Sequence, residues 1–186
     1  MLIVLVVVAV VVAVVVGWFV SQYNRLVSLA NAVDAAWANI DAQLKRRHDL
    51  VPNLVETTKG YAEHERATLD AVVAARNSAV TASGPRAAAA ADGVLEGALR
   101  QLFALSEAYP DLKANQNFLE LQRELAATEN VIAGVRQLYN SAVQDLNTKR
   151  QVFPTNLVAG SKPRFAAREY FEIADGTQRE APRVQF

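Results

Sequence analysis

Residues 1–20, MLIVLVVVAVVVAVVVGWFV, are the stretch on which the rest of the chain depends. Residues 2–20 contain no charged, amide or hydroxyl side chain. A helix of this length measures roughly 28 Å at ~1.5 Å per residue, close to the ~30 Å hydrocarbon thickness of a bilayer. Valine dominates the stretch and forms helices poorly in water, but a single span in lipid can satisfy its backbone amides only as a helix. We therefore predict a transmembrane anchor over residues 1–22, with the lipid bilayer as the partner of residues 2–20.

A cleaved signal peptide is the alternative interpretation of this stretch. Such peptides have a positively charged first region, an apolar core of about 7 to 15 residues and small residues at the cleavage site. Here the core is longer, no Lys or Arg precedes it, and the bulky sequence GWFVS occupies residues 17–21. The first charges after the stretch are Arg25 and the basic residues 45–47, so the positive-inside rule favours an external N-terminus and a cytoplasmic remainder.

The composition of the chain excludes several classes of function. The 19 basic and 19 acidic residues cancel, so no net charge attracts nucleic acid or anionic lipid in general. The chain has no cysteine, which excludes disulfides, thiolate nucleophiles and thiolate metal ligands. After the anchor, the remaining residues suffice for one ordinary domain.

The apolar spacing beyond the anchor predicts two long and two shorter helices. The first continues from Asn24 to Lys59, and Pro52 predicts either a kink or a break within it; we favour a continuous helix with a kink. The second covers about residues 62–82, and residues 87–91 are either a linker or the first turns of the third. A capping box formed by Asn117 and Glu120 predicts that the fourth helix starts there or one turn earlier. The apolar faces of the four helices are, in order, Leu26, Leu29, Val33, Ala36 and Ile40; Leu69, Val72, Val73 and Val80; Leu95, Leu99, Leu102, Phe103 and Leu105; and Phe118, Leu121, Leu125, Thr128, Ile132, Val135, Tyr139, Ala142 and Leu146.

Long and short helices joined by short connections are typical of a bundle. We predict an all-α fold in which the N-terminal transmembrane helix is followed by an antiparallel four-helix bundle over residues 23–150. A coiled-coil homodimer is the alternative, because sustained heptads do not distinguish an internal partner from a second copy. Residues 151–186 lose the periodicity and are predicted to form an extended C-terminal tail. Its aromatic residues Phe165, Tyr170, Phe171 and Phe186 leave docking on the bundle open as the other possibility.

The sequence carries no recognisable catalytic pattern. Neither His48 nor His64 belongs to the Glu-x-x-His pair of di-iron bundles, and Thr68 stands where a zinc-protease motif needs histidine. Both histidines are therefore predicted to lie on the surface. Gly-rich phosphate loops and G-x-S-x-G elbows are also missing. We predict a non-enzyme with no catalytic, cofactor-binding or metal-binding residues, no cofactor, and no nucleic-acid or small-molecule partner.

Arg47 is the exception among the basic residues 45–48, which otherwise suggest a solvated face or, alternatively, a contact for lipid phosphate or an acidic partner. It falls within the apolar spacing of the first helix, and a buried Arg needs a carboxylate. Glu129 is the predicted partner. A polar cluster of Arg47, Asp49, Glu129 and Arg136 is the basis of a less favoured enzyme hypothesis.

Pro52 has a further consequence for the first helix. Because proline lacks an N–H, the backbone carbonyl group of His48 loses its usual helical donor. We predict that Asn53, or Asn130 or Asn140 from the fourth helix, bonds into this position and fixes the pairing of the two long helices.

Several long motifs identify a family resemblance. They are LKRRHDLVPNLVE at residues 44–56, KGYAEHE at 59–65, YPDLKANQNF at 109–118 and LYNSAVQDLN followed by FPTN, together with the closing YFE and PRVQF segments. The chain resembles the LemA family of bacterial membrane proteins over nearly its whole length. The resemblance implies an N-terminal anchor followed by an antiparallel helical bundle, and it implies no catalytic residues. The sequence GSKPRF replaces the longer apolar segment that other members tend to show after FPTN.

Two functional hypotheses follow from an anchor joined to a helical bundle. The first is a scaffold or adaptor at the cell envelope, whose bundle binds another protein or a second copy of itself. The alternative is an accessory or regulatory subunit of a membrane protease or envelope-stress system.

Overall fold

The computed structural model describes residues 1–62, 64–160 and 162–172, and these residues form helices and connecting loops without any strand. The elements are α1 (Leu2–Lys59), α2 (Arg66–Thr81), α3 (Pro85–Ser106), α4 (Pro110–Lys113), α5 (Gln116–Gln151), α6 (Thr155–Ala159) and a 3-10 turn (Pro163–Phe165). The prediction of an all-α chain with an N-terminal apolar helix is confirmed. Of the helices in the described part of the chain, one, α1, is long and apolar enough to cross a membrane.

The chain forms two compact units, and α1 and α5 each contribute to both. Unit 1 contains Met1–Ala38 and Gln137–Glu169, and unit 2 contains Asn39–Arg136 with the described residues from Tyr170 on. The helix predicted from Asn24 is thus the continuation of the apolar segment, because α1 runs without interruption from Leu2 to Lys59.

Unit 2 has a hydrophobic core to which α1, α2, α3 and α5 all contribute. Its buried members are Val51, Leu54, Val55, Leu69, Val72, Ala75, Ala79, Leu95, Leu99, Leu102, Leu112, Phe118 and Leu125. Helices α1 and α5 run antiparallel here, since Arg47 contacts Glu129 while Asn53, further along α1, shares a groove with Asn117 near the start of α5. This shared core is the composition that the predicted four-helix bundle requires.

The boundaries of α2 and α3 differ from the predicted ones in detail. Helix α2 begins at Arg66 rather than near residue 62, and the alanine run at residues 87–91 forms the first turns of α3. Gly84, with φ of 84°, precedes α3 in a conformation that favours glycine, and Pro85 then occupies the first turn. The prediction that Val73 and Val80 face the core is wrong. The core side of α2 is made by Leu69, Val72, Ala75 and Ala79, because small alanines allow close packing, and both valines are exposed.

The N-terminus of α5 is capped by Asn115, not by Asn117. The side-chain Oδ1 of Asn115 accepts a hydrogen bond from the backbone N–H of Phe118 at 3.0 Å. Asn115 also donates from Nδ2 to the hydroxyl of Tyr61 at 2.9 Å, which ties the beginning of the α1–α2 connection to the start of α5. The predicted capping residue Asn117 is exposed within the first turn. A capping pattern fixes a helix start only to within a residue or two.

Unit 1 buries residues from α1, α5, α6 and the 3-10 turn. They are Leu26, Ala30, Val33, Tyr139, Val143, Leu146, Thr155, Val158, Ala159 and Phe165. Two ring contacts connect them: Tyr23 meets Phe165 edge-on at 5.5 Å, and Trp37 lies 5.7 Å from Tyr139. Phe165 is fully buried in this unit. In unit 2, Phe171 is fully buried and Tyr170 is 37% exposed. Phe186 and the other residues of the range 173–186 lie outside the described part of the chain.

Side chains of α5 hold the segment after the 3-10 turn by its backbone. The hydroxyl of Tyr139 donates to the carbonyl of Glu169 at 2.8 Å, and Nε of Arg150 donates to the carbonyl of Phe165 at 2.9 Å. Asn147 bonds both the N–H and the carbonyl of Arg168, each at 3.0 Å. The described part of the predicted tail therefore includes α6, the 3-10 turn and a segment bound along α5.

Candidate functional site

The main polar feature of unit 2 is a buried ionic cluster formed by Arg47, Asp92 and Glu129 on α1, α3 and α5. The Nη1 atom of Arg47 lies 3.0 Å from Oδ1 of Asp92 and 2.8 Å from Oε2 of Glu129. The side chains of Arg47 and Asp92 are 4% and 3% exposed, and that of Glu129 is 39% exposed. The predicted pairing of Arg47 with Glu129 is confirmed. A single guanidinium thus joins three helices.

Asp92 was missed by the sequence interpretation, although a signal for it exists. It occupies the apolar stripe of α3, which continues through Leu95, Leu99 and Leu102 at steps of three and four. An acidic residue in one buried stripe and a basic residue in another are each costly alone, so they are expected to pair.

The charges of the cluster do not balance. Burial raises the pKa of Asp92 to about 6; Arg47 opposes the shift, and Glu129 and Glu96 add to it. Asp92 accepts a hydrogen bond from Arg47, whereas Glu129 is close to the same nitrogen without hydrogen-bond alignment. The Nε atom of Arg47 is buried without a hydrogen-bond partner among the described residues. The cluster therefore keeps hydrogen-bonding capacity that its own side chains do not use.

A cleft of about 220 Å³ opens beside the cluster. It is lined by Arg47, Glu96, Leu99, Arg100, Phe103, Gln122, Leu125, Ala126 and Glu129. Sites for drug-sized ligands occupy about 300–1,000 Å³, so this cleft suits a single side chain better than a whole substrate. Among residues 1–62, 64–160 and 162–172, no Ser, Thr, Lys or His side chain lines it. The arrangement can tie helices together and accept one apolar or amphipathic side chain.

A second polar contact lies at the turn of α1 that precedes Pro52. The Nε atom of Arg76, on α2, donates to the backbone carbonyl of His48 at 3.2 Å. The prediction that Asn53, Asn130 or Asn140 fills this position is wrong. Asn53 and Asn130 are exposed, and the longer Arg76 reaches the carbonyl from the neighbouring helix. The carbonyl of His48 does receive a donor from outside α1, as expected, and this donor belongs to α2.

His48 is buried, at 9% exposure, which corrects the prediction of a surface histidine. Its pKa is lowered first by burial and then by the charges of Arg76 and Arg47. Its Nε2 atom has no hydrogen-bond partner among the described residues. The lysine and arginine that precede Arg47, Lys45 and Arg46, are exposed as a solvated face requires, and Arg46 approaches Glu124 at 3.9 Å.

The four residues of the enzyme hypothesis are not brought together. Within the described residues, the carboxylates at ion-pair distance from Arg47 are those of Asp92 and Glu129. Asp49 is exposed, and Arg136 is half-buried. His64 is exposed, as predicted. In residues 1–62, 64–160 and 162–172, no group of three His, Cys, Asp or Glu side chains is placed to hold a metal ion.

Comparison with known proteins relates the chain to bacterial relatives. Protein LemA of Metamycoplasma hominis is 30% identical over 145 residues, which cover 76% of this chain and 65% of that protein. Magnetosome protein MamQ 2 of Paramagnetospirillum magneticum is 25% identical over 177 residues, covering 81% of this chain and 65% of that protein. Magnetosome protein MamQ of Magnetospirillum gryphiswaldense is 24% identical over 164 residues, covering 74% and 60%.

The chain thus spans about 65% of the length of the first two of these relatives. The apolar N-terminal helix and the helical units agree with the bacterial membrane proteins that the sequence motifs resemble. Residues 36–186 match the LemA family, which is most of the chain and includes the buried cluster. The chain therefore belongs to the LemA family.

Proposed function

We propose that the protein is a membrane-anchored scaffold or adaptor of the bacterial cell envelope, and not an enzyme. The observation that carries the proposal lies in α1. Every side chain of residues 2–20 is exposed, whereas Leu26 and Ala30, further along the same helix, are completely buried. An apolar helix of this length without a protein cover is suited to lipid. Two of the relatives described above are named for a cellular structure, the magnetosome, rather than for a reaction, which supports a non-catalytic role.

The uninterrupted course of α1 supports a retained anchor over a cleaved signal peptide. Cleavage within residues 17–21 would cut this helix just before residues that unit 1 buries. The intact mass of the protein purified from membranes tests this point. A mass that includes residues 1–20 is expected, and a mature protein starting near Ser21 would overturn the anchor.

The proposed topology has the N-terminus outside and unit 2 in the cytoplasm, in accord with Arg25 after the span. Because the chain has no cysteine, one introduced at the exposed Ser83 is a unique label. An impermeant thiol reagent applied to intact cells should leave Ser83→Cys unlabelled and should label it after lysis. Labelling in intact cells would reverse the orientation.

A face of α2 is the proposed docking surface for the partner. Val73 and Val80 lie two helical turns apart and are 40% and 50% exposed. A photoreactive amino acid at Val80 should give a discrete crosslinked product in cells, either with another envelope protein or with a second copy. The double change Val73→Arg/Val80→Arg should abolish co-purification of that partner.

Val94→Arg is the control for the docking surface, because Val94 is an exposed valine on α3, outside the proposed face, with 62% exposure. It should leave the interaction intact. Equal melting temperatures of the variants would exclude unfolding as the cause. If the α2 variant keeps the partner while Val94→Arg loses it, the docking surface is on α3 and the proposal for α2 is wrong.

A further inference from the structure

We infer that the turn around α6 is a second membrane contact, which inserts apolar side chains into the leaflet where the α1 span ends. The inference rests on the proposed anchor. It concerns the surface formed by Val152, Phe153 and Leu157, named here the α6 patch. These side chains are 49%, 74% and 67% exposed.

The α6 patch exists because α6 buries its one threonine and exposes its one leucine, next to the exposed Asn156. Thr155, Val158 and Ala159 are buried at 2%, 0% and 5% exposure, while Leu157 and the preceding Phe153 project away from the protein. In a helix facing water, a buried threonine beside an exposed leucine and phenylalanine is the reverse of the usual distribution. The distribution is the expected one if lipid covers the outer side.

A direct contact places the α6 patch beside the end of the anchor. The hydroxyl of Thr155 donates to Oε1 of Gln22 at 3.2 Å. Gln22 lies two residues beyond Val20, so α6 is level with the boundary between hydrocarbon and headgroups. The ring contact of Tyr23 with Phe165 holds the following 3-10 turn at the same level. Aromatic residues such as Trp18 and Tyr23 are typical of this interface.

The charge around the α6 patch suits an anionic leaflet. Residues 146–168 contain no acidic residues and five basic ones, of which Arg168 is paired with Asp34, and residues 1–33 contain Arg25 as their sole charged side chain. Of these basic residues, Arg25 and Lys162 are exposed and Lys149 is half-buried. Basic side chains beside an apolar patch attract anionic headgroups and can extend into them while their stems cover apolar surface.

A single-label quenching experiment tests the inference on the full chain. Leu157→Cys and Phe153→Cys carry an environment-sensitive dye in vesicles of phosphatidylcholine and phosphatidylglycerol that contain a lipid with a shallow nitroxide quencher. Both dyes should show a blue-shifted emission and lose most of their intensity to the quencher. The loss should diminish in vesicles of phosphatidylcholine alone.

Leu138→Cys is the matched control. Leu138 is also 67% exposed and belongs to the same unit. Its neighbour Tyr139 contacts Trp37, and Trp37 is roughly 22 Å along α1 from Gln22 at ~1.5 Å per residue. Leu138 therefore lies well away from the proposed membrane boundary. Its dye should keep its intensity.

A fourth label, Val16→Cys, separates this inference from the proposed anchor. If Val16→Cys is quenched in bilayers carrying a deep nitroxide but both α6 labels behave like Leu138→Cys, the membrane contact of α6 is wrong and the anchor stands. If Val16→Cys is not quenched, the anchor itself fails. A blue shift at Leu157→Cys that depends on protein concentration, without quenching, would assign the α6 patch to contact between copies and overturn the inference.

Discussion

Arg76 donates a hydrogen bond from Nε to the backbone carbonyl of His48, at 3.2 Å, and thereby replaces the donor that Pro52 removes from α1. A proline in a helix leaves the carbonyl four residues earlier without its N–H partner. Arg76 supplies a charge-assisted bond from a neighbouring helix, and such bonds are stronger than neutral ones. The hydrogen bond that Pro52 removes from α1 is thus replaced by one from α2, and this bond fixes the position along α1 at which α2 packs.

Arg76→Met should lower the free energy of unfolding by about 1–3 kcal/mol, the usual cost of an unsatisfied buried polar group. Urea unfolding of the full chain in detergent measures this effect. In a Pro52→Ala background the helix supplies its own donor, so Arg76→Met should cost less. An equal cost in both backgrounds would show that the bond to His48 is not the source of the effect. Asn53→Ala, at an exposed position, should leave stability unchanged.

Arg47→Met should destabilise the protein by about 3–5 kcal/mol, because it leaves two carboxylates next to each other without their cation. Arg46→Met is the matched control, since Arg46 is exposed and only 3.9 Å from the half-exposed Glu124. An exposed pair contributes about 0–1 kcal/mol. Thermal melting of the two variants should therefore separate them clearly. Similar melting temperatures would mean that the buried cluster contributes no more than a surface pair.

Asp92 should make stability depend on pH. Its pKa of about 6 in the folded protein is above its ordinary value near 4, so the folded state binds more protons between these values. The contribution of Asp92 to the free energy of unfolding is therefore fully present at low pH, and it is lost as pH rises from about 4 to about 6.

Asp92→Asn removes this titration, so the variant should gain stability relative to the parent protein as pH rises through that interval. A shift of this size corresponds to about 3 kcal/mol. Urea unfolding of both proteins at pH 4 and at pH 7 gives the difference between their free energies of unfolding at each pH. A constant difference at the two pH values would contradict the raised pKa.

Asn115→Ala should cost about 1 kcal/mol or slightly more, because it removes the cap of α5 and the bond to Tyr61. Asn117→Ala changes the same residue type two positions later, where the side chain is exposed, and should be nearly neutral. Chemical unfolding distinguishes them. The reverse order would restore Asn117 as the capping residue.

The features that sequence predicts well are those that depend on neighbours along the chain. The nine-residue seam from Phe118 to Leu146 is buried or half-buried throughout, because a three-four spacing on one helix is a local pattern. Burial of Arg47 followed from the same spacing on α1, and Glu129 followed from the need for a carboxylate.

The features that sequence did not predict depend on partners from distant helices. Asp92 and Arg76 belong to α3 and α2. The three-four spacing of α3 marks Asp92 as buried but does not by itself place it next to α1, and no spacing on α2 indicates that Arg76 reaches the carbonyl of His48. The exposed Val73 and Val80 show a related limit, since hydrophobicity alone does not reveal that Ala75 and Ala79 provide the close contact. Helix periodicity gives the buried stripe, whereas the cross-helix contacts require the packed structure.

The reciprocal bonds between Asn147 and the backbone of Arg168 have a consequence for how mutations are tolerated. Main-chain N–H and carbonyl groups are the same in every residue except proline, which lacks the N–H. Residues 165–169 are therefore held through their backbone by Tyr139, Asn147 and Arg150. These bonds do not involve the exposed side chains of Ala166, Ala167 and Glu169. Many other amino acids should be tolerated at those three positions. One substitution at Asn147, in contrast, removes the hydrogen bonds of both backbone groups of Arg168.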